Sequence, residues 1–518
     1  MMKKNLILLL ILLLLYSKLT QAGFVFDDRF LIVQNDSWKL ERIWFSELWG
    51  DSEDRTGFYR PLFLCSIYLD RLFFDLEPLG YHIHSLAWQL LSVLGFWLIL
   101  SHKKEYFGFS EIDIMAAVSI FSFHPFCAET TYWISARNDS MCLGFSLFSI
   151  FFIWRERPKW FLGGVCFLAA LLSKETALAL LPALLFLQSK HRKKIVLFFG
   201  VILVSFIFYR NMVLEGAKVL QLQNLYTRTV PLVLFEQFSR LWLPLHLSPV
   251  QTLQWFSFYW WKGLLAATTL FLLGKLFWSD PRVRFWIVFG LGAMSLTIPP
   301  MMHTGLFGDR YWIYLLPMWG IVLMLTFDWK ICIPLLLVWS PFIWVQGDVW
   351  KDDYSFWEYQ YSQAQNSFTS VSFAHISYEK GYLMQAYQLY QQGYSDPQPY
   401  VYGCDNFLTL ALKLEGSKRV IEASSWLERI GCDWGGTGWG ILGVAYAVEN
   451  RWNEVYDILQ KDHKDPHRRL DLVEAIVFLR EGKEEEFCKI WKSWSNSDNL
   501  ERQIQIVSPD VAILECHE

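Results

Sequence analysis

Two adjacent carboxylates, Asp27 and Asp28, follow the first apolar segment in Gly23-Phe24-Val25-Phe26-Asp27-Asp28-Arg29. An acidic pair framed by aromatics at a membrane surface is placed to meet a lipid-borne substrate. A carboxylate there can accept a proton from an attacking hydroxyl. The same pair could equally be a solvated helix end. Three basic residues, Arg137, Lys174 and Arg310, lie at the ends of other apolar segments. Lys174 has almost no loop around it in Leu171-Leu172-Ser173-Lys174-Glu175. An ionisable group that close to a membrane is a functional candidate, the alternative being a Lys174–Glu175 boundary pair that snorkels to the headgroups. Arg60, just before Pro61, either contacts substrate or pairs with a loop carboxylate such as Asp54. Tyr311 and His124 complete the candidate substrate-binding set, with His303 on the same face. His82 and His84 are two apart and would point different ways on a helix. No metal site follows from these residues and no cofactor is implied, with a divalent cation left open.

The elements that must position these groups are membrane helices. Of the 518 residues, 53% are hydrophobic and only 19% charged, against about a quarter charged in soluble proteins. The net charge of −4 gives no sign of nucleic-acid binding. Segments near 5–22, 80–100, 112–124, 138–154, 159–173, 176–189, 194–212, 257–277, 284–300, 310–327 and 330–346 are apolar enough to suggest about eleven spans. The stretch 231–247, with Pro231 and Pro244, reads as a partial or re-entrant helix. Lys3-Lys4 and an apolar run ending near Ala22-Gly23 also fit a cleavable signal peptide, and a retained helix is the reading adopted.

Charge sets the orientation. Lys3-Lys4, His102-Lys103-Lys104, Arg155 to Lys159, Lys190 to Lys194, Lys275, Arg282, Arg284 and Lys330 fall on one face if eleven spans hold. The positive-inside rule makes that face cytoplasmic. The loop 23–79 and everything after 347 then lie outside, on the side of the acid pair.

From 347 the composition turns polar and a repeat emerges. Acidic residues precede small turn residues in Glu379-Lys380-Gly381, Glu415-Gly416, Glu449-Asn450 and Glu481-Gly482. The intervals of about 35, 34 and 32 residues approach the 34-residue helical hairpin repeat. Such hairpins bury their apolar faces only by stacking, so residues 347–518 are expected to form a TPR-like α-solenoid. Cys404, Cys432, Cys488 and Cys516 lie in this part and could pair only in an oxidising compartment.

An ordered set of short motifs carries a family resemblance. Phe-Val-Phe-Asp-Asp at 24–28 is followed by Tyr59-Arg60-Pro61-Leu62, Gly80-Tyr81-His82 and His124-Pro125 with Glu129. Ala136-Arg137-Asn138-Asp139, Ser173-Lys174-Glu175, Leu247-Ser248-Pro249 and Asp309-Arg310-Tyr311 with Leu316-Pro317 come after. The chain resembles the GT-C membrane glycosyltransferases, most of all the transmembrane-and-tetratricopeptide-repeat protein O-mannosyltransferases and their bacterial relatives. The resemblance implies an all-α fold, with a polytopic transmembrane bundle over 1–346 and the helical repeats over 347–518. It implies that Asp27 or Asp28 is the base that activates an acceptor hydroxyl, and that the donor is a polyprenyl-phosphate sugar such as mannose. An anionic leaving group of that kind needs fixed positive charge, which assigns Lys174, Arg310 and Arg137 to the donor phosphate. Asp309 stands where the family often has Glu, which weakens transfer of a role to that residue. The implied partners are the lipid-linked sugar, membrane lipid, and an acceptor polypeptide or glycan held by the repeats. The implied location is a bacterial inner membrane with the repeats in the periplasm, or the equivalent lumenal side in a eukaryote. Two other classes fit many spans: a flippase or transporter of lipid-linked saccharide, and a membrane-anchored scaffold. No internal repeat of the transporter kind is visible in the membrane part. A scaffold leaves the acid pair and the outer cations without a role.

Overall fold

In a computed structural model, the described residues are 2–35, 40–48, 57–214, 230–245, 247–252, 259–304, 306–432, 435–460, 469–493, 504 and 516. The chain divides into two compact units, Met1–Phe356 and Trp357–Glu518. Both are helical. The only strand pairing among the described residues is a two-residue antiparallel contact, Gln251–Thr252 with Leu306–Phe307.

The first unit opens with α1 (Met2–Leu15), α2 (Leu40–Phe45), α3 (Pro61–Phe74) and α4 (Pro78–His102). Prolines at the first positions of α3 and α4 stabilise those starts, because they lack the N–H that a helix leaves unpaired there. Then come α5 (Lys104–Phe107), α6 (Glu111–Ser122), α7 (Phe126–Tyr132), α8 (Arg137–Ile153) and α9 (Trp160–Ser173). Ser110 and Asp113 form a reciprocal cap at the start of α6. The unit ends with α10 (Leu180–Leu184), α11 (Arg192–Val213), α12 (Val230–Arg240), α13 (Trp260–Ser279), α14 (Pro281–Thr304), α15 (Leu316–Thr326) and α16 (Cys332–Val349).

Three helical stretches among the described residues are long and apolar enough to cross a bilayer alone: Pro78–His102, Arg192–Val213 and Trp329–Val349. Helices α6 and α7 make a fourth candidate if taken as one span bent by 59°. Several of the other expected spans are interrupted. The segment 176–189 begins as a 3-10 turn, Glu175–Ala179, before the short α10. The segment 310–327 does the same, with Asp309–Leu315 ahead of α15. Each interruption falls where a charged residue meets an apolar run, so the backbone bends to keep the charge inside the protein.

Exposure in this unit is inverted relative to a water-soluble protein. Leu197, Val201, Val204, Phe208 and Met212 form an exposed stripe on α11, while Asp28, Arg137, Asp139, Lys174 and Arg240 are buried. Apolar side chains facing outward and charges facing inward are what a hydrocarbon solvent requires. Close helix crossings rely on small residues. A Cβ on Gly320 of α15 would sit 2.6 Å from the Ala117 carbonyl oxygen of α6.

The second unit contains α18 (Ser367–Glu379) to α25 (Glu484–Ser493), with α17 (Asp353–Gln363) across the boundary. Consecutive helices pair as hairpins: α18 with α19 (Leu383–Tyr394), α20 (Cys404–Leu414) with α21 (Ser417–Arg429), α22 (Gly435–Val448) with α23 (Trp452–Leu459), and α24 (Arg469–Glu481) with α25. Helices α20, α22 and α24 also pack in series. The hairpin turns carry Gly381, Gly416, Asn450 and Gly482, all at positive φ. These are the turn residues whose spacing the sequence repeats, and the left-handed backbone explains why glycine or asparagine recurs there.

Two disulfides cross-link this unit, Cys404–Cys432 and Cys488–Cys516, each closing 28 residues. The first ties the start of α20 to the residues just after α21. Thiol alkylation of protein denatured without reductant should leave these four cysteines unmodified by mass spectrometry, and label them after reduction. Labelling before reduction would contradict the pairing.

Candidate functional site

The acid pair sits on an irregular piece of chain. Gly23 to Val25 belong to no regular element, Phe26 takes φ of 57°, and a π-turn follows at Arg29–Val33. A positive φ at a bulky residue is strained and needs support from its surroundings. Phe26 has that support: its ring packs on Trp133 and Phe356, and its N–H donates to Asp353 Oδ1 at 2.8 Å.

The two carboxylates are not equivalent. Asp28 is fully buried and pinned. Its Oδ1 accepts the Ser135 N–H at 2.8 Å and the Ser135 hydroxyl at 2.5 Å, and its Oδ2 lies 3.5 Å from the Val25 N–H. Asp27 is half-buried, and among the described residues its carboxylate takes no hydrogen bond. Burial pushes Asp27 up to about 6, opposed by the Arg310 charge. Burial pushes Asp28 up to about 7, opposed chiefly by the two Ser135 bonds. A carboxylate that ionises near neutrality is a stronger base than an exposed one, and Asp27 is still largely ionised at pH 7.

The cations near the pair each hold a resident carboxylate. Lys174 Nζ lies 2.6 Å from both oxygens of Asp139, and Tyr314 donates to the same carboxylate at 3.1 Å. Burial lowers Lys174 to about 8 despite Asp139. Arg310 donates to Glu129 at 2.6 Å and to the Tyr311 hydroxyl at 2.8 Å. Its guanidinium lies between the Trp133 and Tyr311 rings, 4.4 and 4.3 Å from their centroids. Lys174 lies 4.8 Å from the Tyr311 centroid, so that ring contacts both cations. Arg60 donates twice to Glu175, at 3.1 and 3.2 Å. Lys174 and Glu175 therefore do not pair with each other. Asp54 lies outside the described residues, as does the side chain of His303.

Asp27, Asp28, Arg310, Lys174, Tyr311 and Arg60 thus belong to one neighbourhood. Two candidates are turned toward other partners. Arg137 is fully buried and bound on every nitrogen: to Asp70 at 2.5 Å, to the Ser85 and Ser66 hydroxyls at 2.9 and 3.2 Å, and to the Tyr81 carbonyl at 2.8 Å. It anchors the start of α8 and presents nothing to a phosphate. His124 is fully buried between Phe126 and Trp339, and its Nδ1 accepts the Phe126 N–H at 3.2 Å. Hydropathy placed both at span ends, but the broken helices fold those ends inward.

Sequence reasoning missed Ser135 and a buried ionic chain. Lys262 binds Glu236 at 2.7 Å, Glu236 accepts from Arg240 at 3.3 Å, and Arg240 donates to Asp309 at 2.8 Å. Asp309 also accepts the Ser248 N–H and the Gln251 amide, at 2.8 and 2.7 Å. Asp309 is thus a structural acceptor next to Arg310. The Glu236–Arg240 spacing of four within an apolar stretch was the available signal. Among the described residues no three His, Cys, Asp or Glu side chains gather as a metal site.

The relatives agree with the motifs. The chain is similar to protein O-mannosyl-transferases. It is 30% identical over 179 residues to protein O-mannosyl-transferase Tmtc1 of Drosophila melanogaster, covering 32% of this chain and 20% of that one. It is 26% identical over 234 residues to protein O-mannosyl-transferase F38B6.6 of Caenorhabditis elegans, covering 43% and 34%. Protein O-mannosyl-transferase Tmtc2 of Drosophila melanogaster is 31% identical over 192 residues, covering 33% and 20%. The matched regions span a fifth to a third of these protein O-mannosyl-transferases. No family model and no solved structure matches.

Replacing Arg137 by Met would leave the Asp70 carboxylate buried without its ion pair. Breaking a buried pair from one side costs about 3–5 kcal/mol. Thermal unfolding in detergent should show a large loss of stability, and an unchanged transition would contradict the anchoring role.

Proposed function

We propose that the chain is a membrane glycosyltransferase. It moves a sugar, mannose being the one named in its relatives, from a polyprenyl-phosphate donor to a hydroxyl on a protein or glycan at the non-cytoplasmic face. The observation that carries this reading is the asymmetry of the acid pair. Asp28 is bound and Asp27 is not, and Arg310 is the charge that bears on Asp27.

The chemistry follows from that geometry. Asp27 accepts the proton of the acceptor hydroxyl as its oxygen attacks the anomeric carbon of the donor. The bond from that carbon to the phosphate oxygen breaks, and its electron pair leaves with the polyprenyl phosphate. Arg310, Lys174 and Arg60 stabilise the negative charge that develops on the leaving group. Tyr311 orients two of these cations by contact with both.

Residues 1–346 make up the proposed transferase part, with about eleven membrane crossings counting the short and broken helices. Residues 347–518 make up a TPR-like solenoid that holds an acceptor polypeptide. The two disulfides support an oxidising location for this second part, because such bonds persist outside the cytosol. A bacterial periplasm or the lumen of the endoplasmic reticulum meets that condition.

Purified protein incubated with radiolabelled polyprenyl-phosphate sugars and candidate acceptors tests the reading. Asp27→Asn should lower transfer by about 100-fold or more, the usual scale for loss of a general base, and Asp28→Asn should have a smaller effect. Transfer should fall as pH drops through about 6, because protonated Asp27 cannot take the hydroxyl proton. Equal transfer by Asp27→Asn, or no transfer from any donor, would overturn the reading.

A further inference from the structure

We infer that Ser135 is a positioning residue for the acid pair, holding Asp28 so that Asp27 alone is presented to the acceptor. This rests on the glycosyltransferase reading above.

Ser135 reaches Asp28 across 107 positions of sequence and gives the same carboxylate oxygen two hydrogen bonds, one from its backbone and one from its hydroxyl. That arrangement fixes both the direction and the side from which Asp28 is held. Ser135 is itself held firmly. It lies in the 3-10 turn Ile134–Ala136, and its carbonyl accepts the Asn138 side-chain amide at 2.9 Å. Two residues on, Arg137 ties the turn to Asp70. Two residues back, Trp133 packs on Phe26 and under Arg310. One short turn therefore touches the acid pair and the cation opposite it.

The pinning has a chemical consequence. Two free neighbouring carboxylates share protons and titrate as a pair, so neither is a defined base. Asp28 Oδ1, which takes both Ser135 bonds, is held against that turn. Asp27, between the positive-φ Phe26 and the held Asp28, keeps a carboxylate that takes no hydrogen bond among the described residues. Ser135 does this without touching the substrate.

The test is steady-state transfer by the full chain in detergent, with a polyprenyl-phosphate sugar and an acceptor. The Ser135→Ala, Ser135→Thr and Ser135→Cys variants are compared, each normalised to folded protein by its thermal transition. Loss of a hydrogen bond to a charged group corresponds to about a 10- to 100-fold change. Ser135→Ala should lower kcat by about that factor with donor KM within about twofold, because only the orientation of the acid pair is disturbed. Ser135→Thr should restore most of the rate, since it keeps the hydroxyl. Ser135→Cys, nearly the same size but a weaker donor, should fall between them, and it reports on the donor even if Ser135→Ala folds poorly. In an Asp28→Ala background, Ser135→Ala should cost nothing further.

Three results would overturn the inference: wild-type kinetics for both Ser135→Ala and Ser135→Cys, a loss in Ser135→Thr equal to that in Ser135→Ala, or effects of Ser135→Ala and Asp28→Ala that multiply. Absence of transfer by the wild-type chain is a different result. It would remove the glycosyltransferase reading, and this inference with it.

Discussion

The contact between Asp28 and Ser135 is the constraint on which the site depends. It joins the irregular chain after the first helix to the turn before α8. That turn and the first residues of α8, Trp133 to Asp139 together, contribute in four ways within seven residues. Trp133 supports Phe26 and Arg310, Ser135 holds Asp28, Arg137 fastens the turn to Asp70, and Asp139 holds Lys174. Side chains from this segment reach the acid pair, the helical bundle and the cations. Displacing this segment would move the acid pair and the cations Arg310 and Lys174 together.

The charges follow a second physical rule. Lys174, Arg310 and Arg60 are all buried or half-buried, and each carries a carboxylate partner. Burying an unpaired cation would cost several kcal/mol, so each pairing offsets that cost. In the proposed reaction the donor phosphate is shared with Asp139, Glu129 and Glu175 or displaces them. The arrangement suits a group whose negative charge grows in the transition state, because the cations are preorganised rather than recruited. The chain Lys262–Glu236–Arg240–Asp309 braces Arg310 from behind through its neighbour.

Much of this was legible in the sequence, for identifiable reasons. The acid pair stood out because carboxylates at the end of an apolar run are costly unless used or solvated. The hairpin turns stood out because Gly381, Gly416, Asn450 and Gly482 occupy left-handed backbone that few residues adopt. Hydropathy failed where helices break. It placed Arg137 and His124 at the outer face, at span ends, whereas the chain buries both side chains in the bundle. It also counted spans that the structure builds from a 3-10 turn and a short helix, as at Glu175–Leu184. Ser135 was invisible because a serine in an apolar run has no periodicity or charge to mark it. Its role depends on a partner more than a hundred residues away.

The most direct measurement is an experimental structure of the protein with an unhydrolysed polyprenyl-phosphate sugar bound. The account predicts the phosphate within hydrogen-bond distance of Arg310 and Lys174, with the anomeric carbon facing the Asp27 carboxylate and Asp28 still on Ser135. A phosphate bound elsewhere, or an anomeric carbon facing away from Asp27, would contradict it.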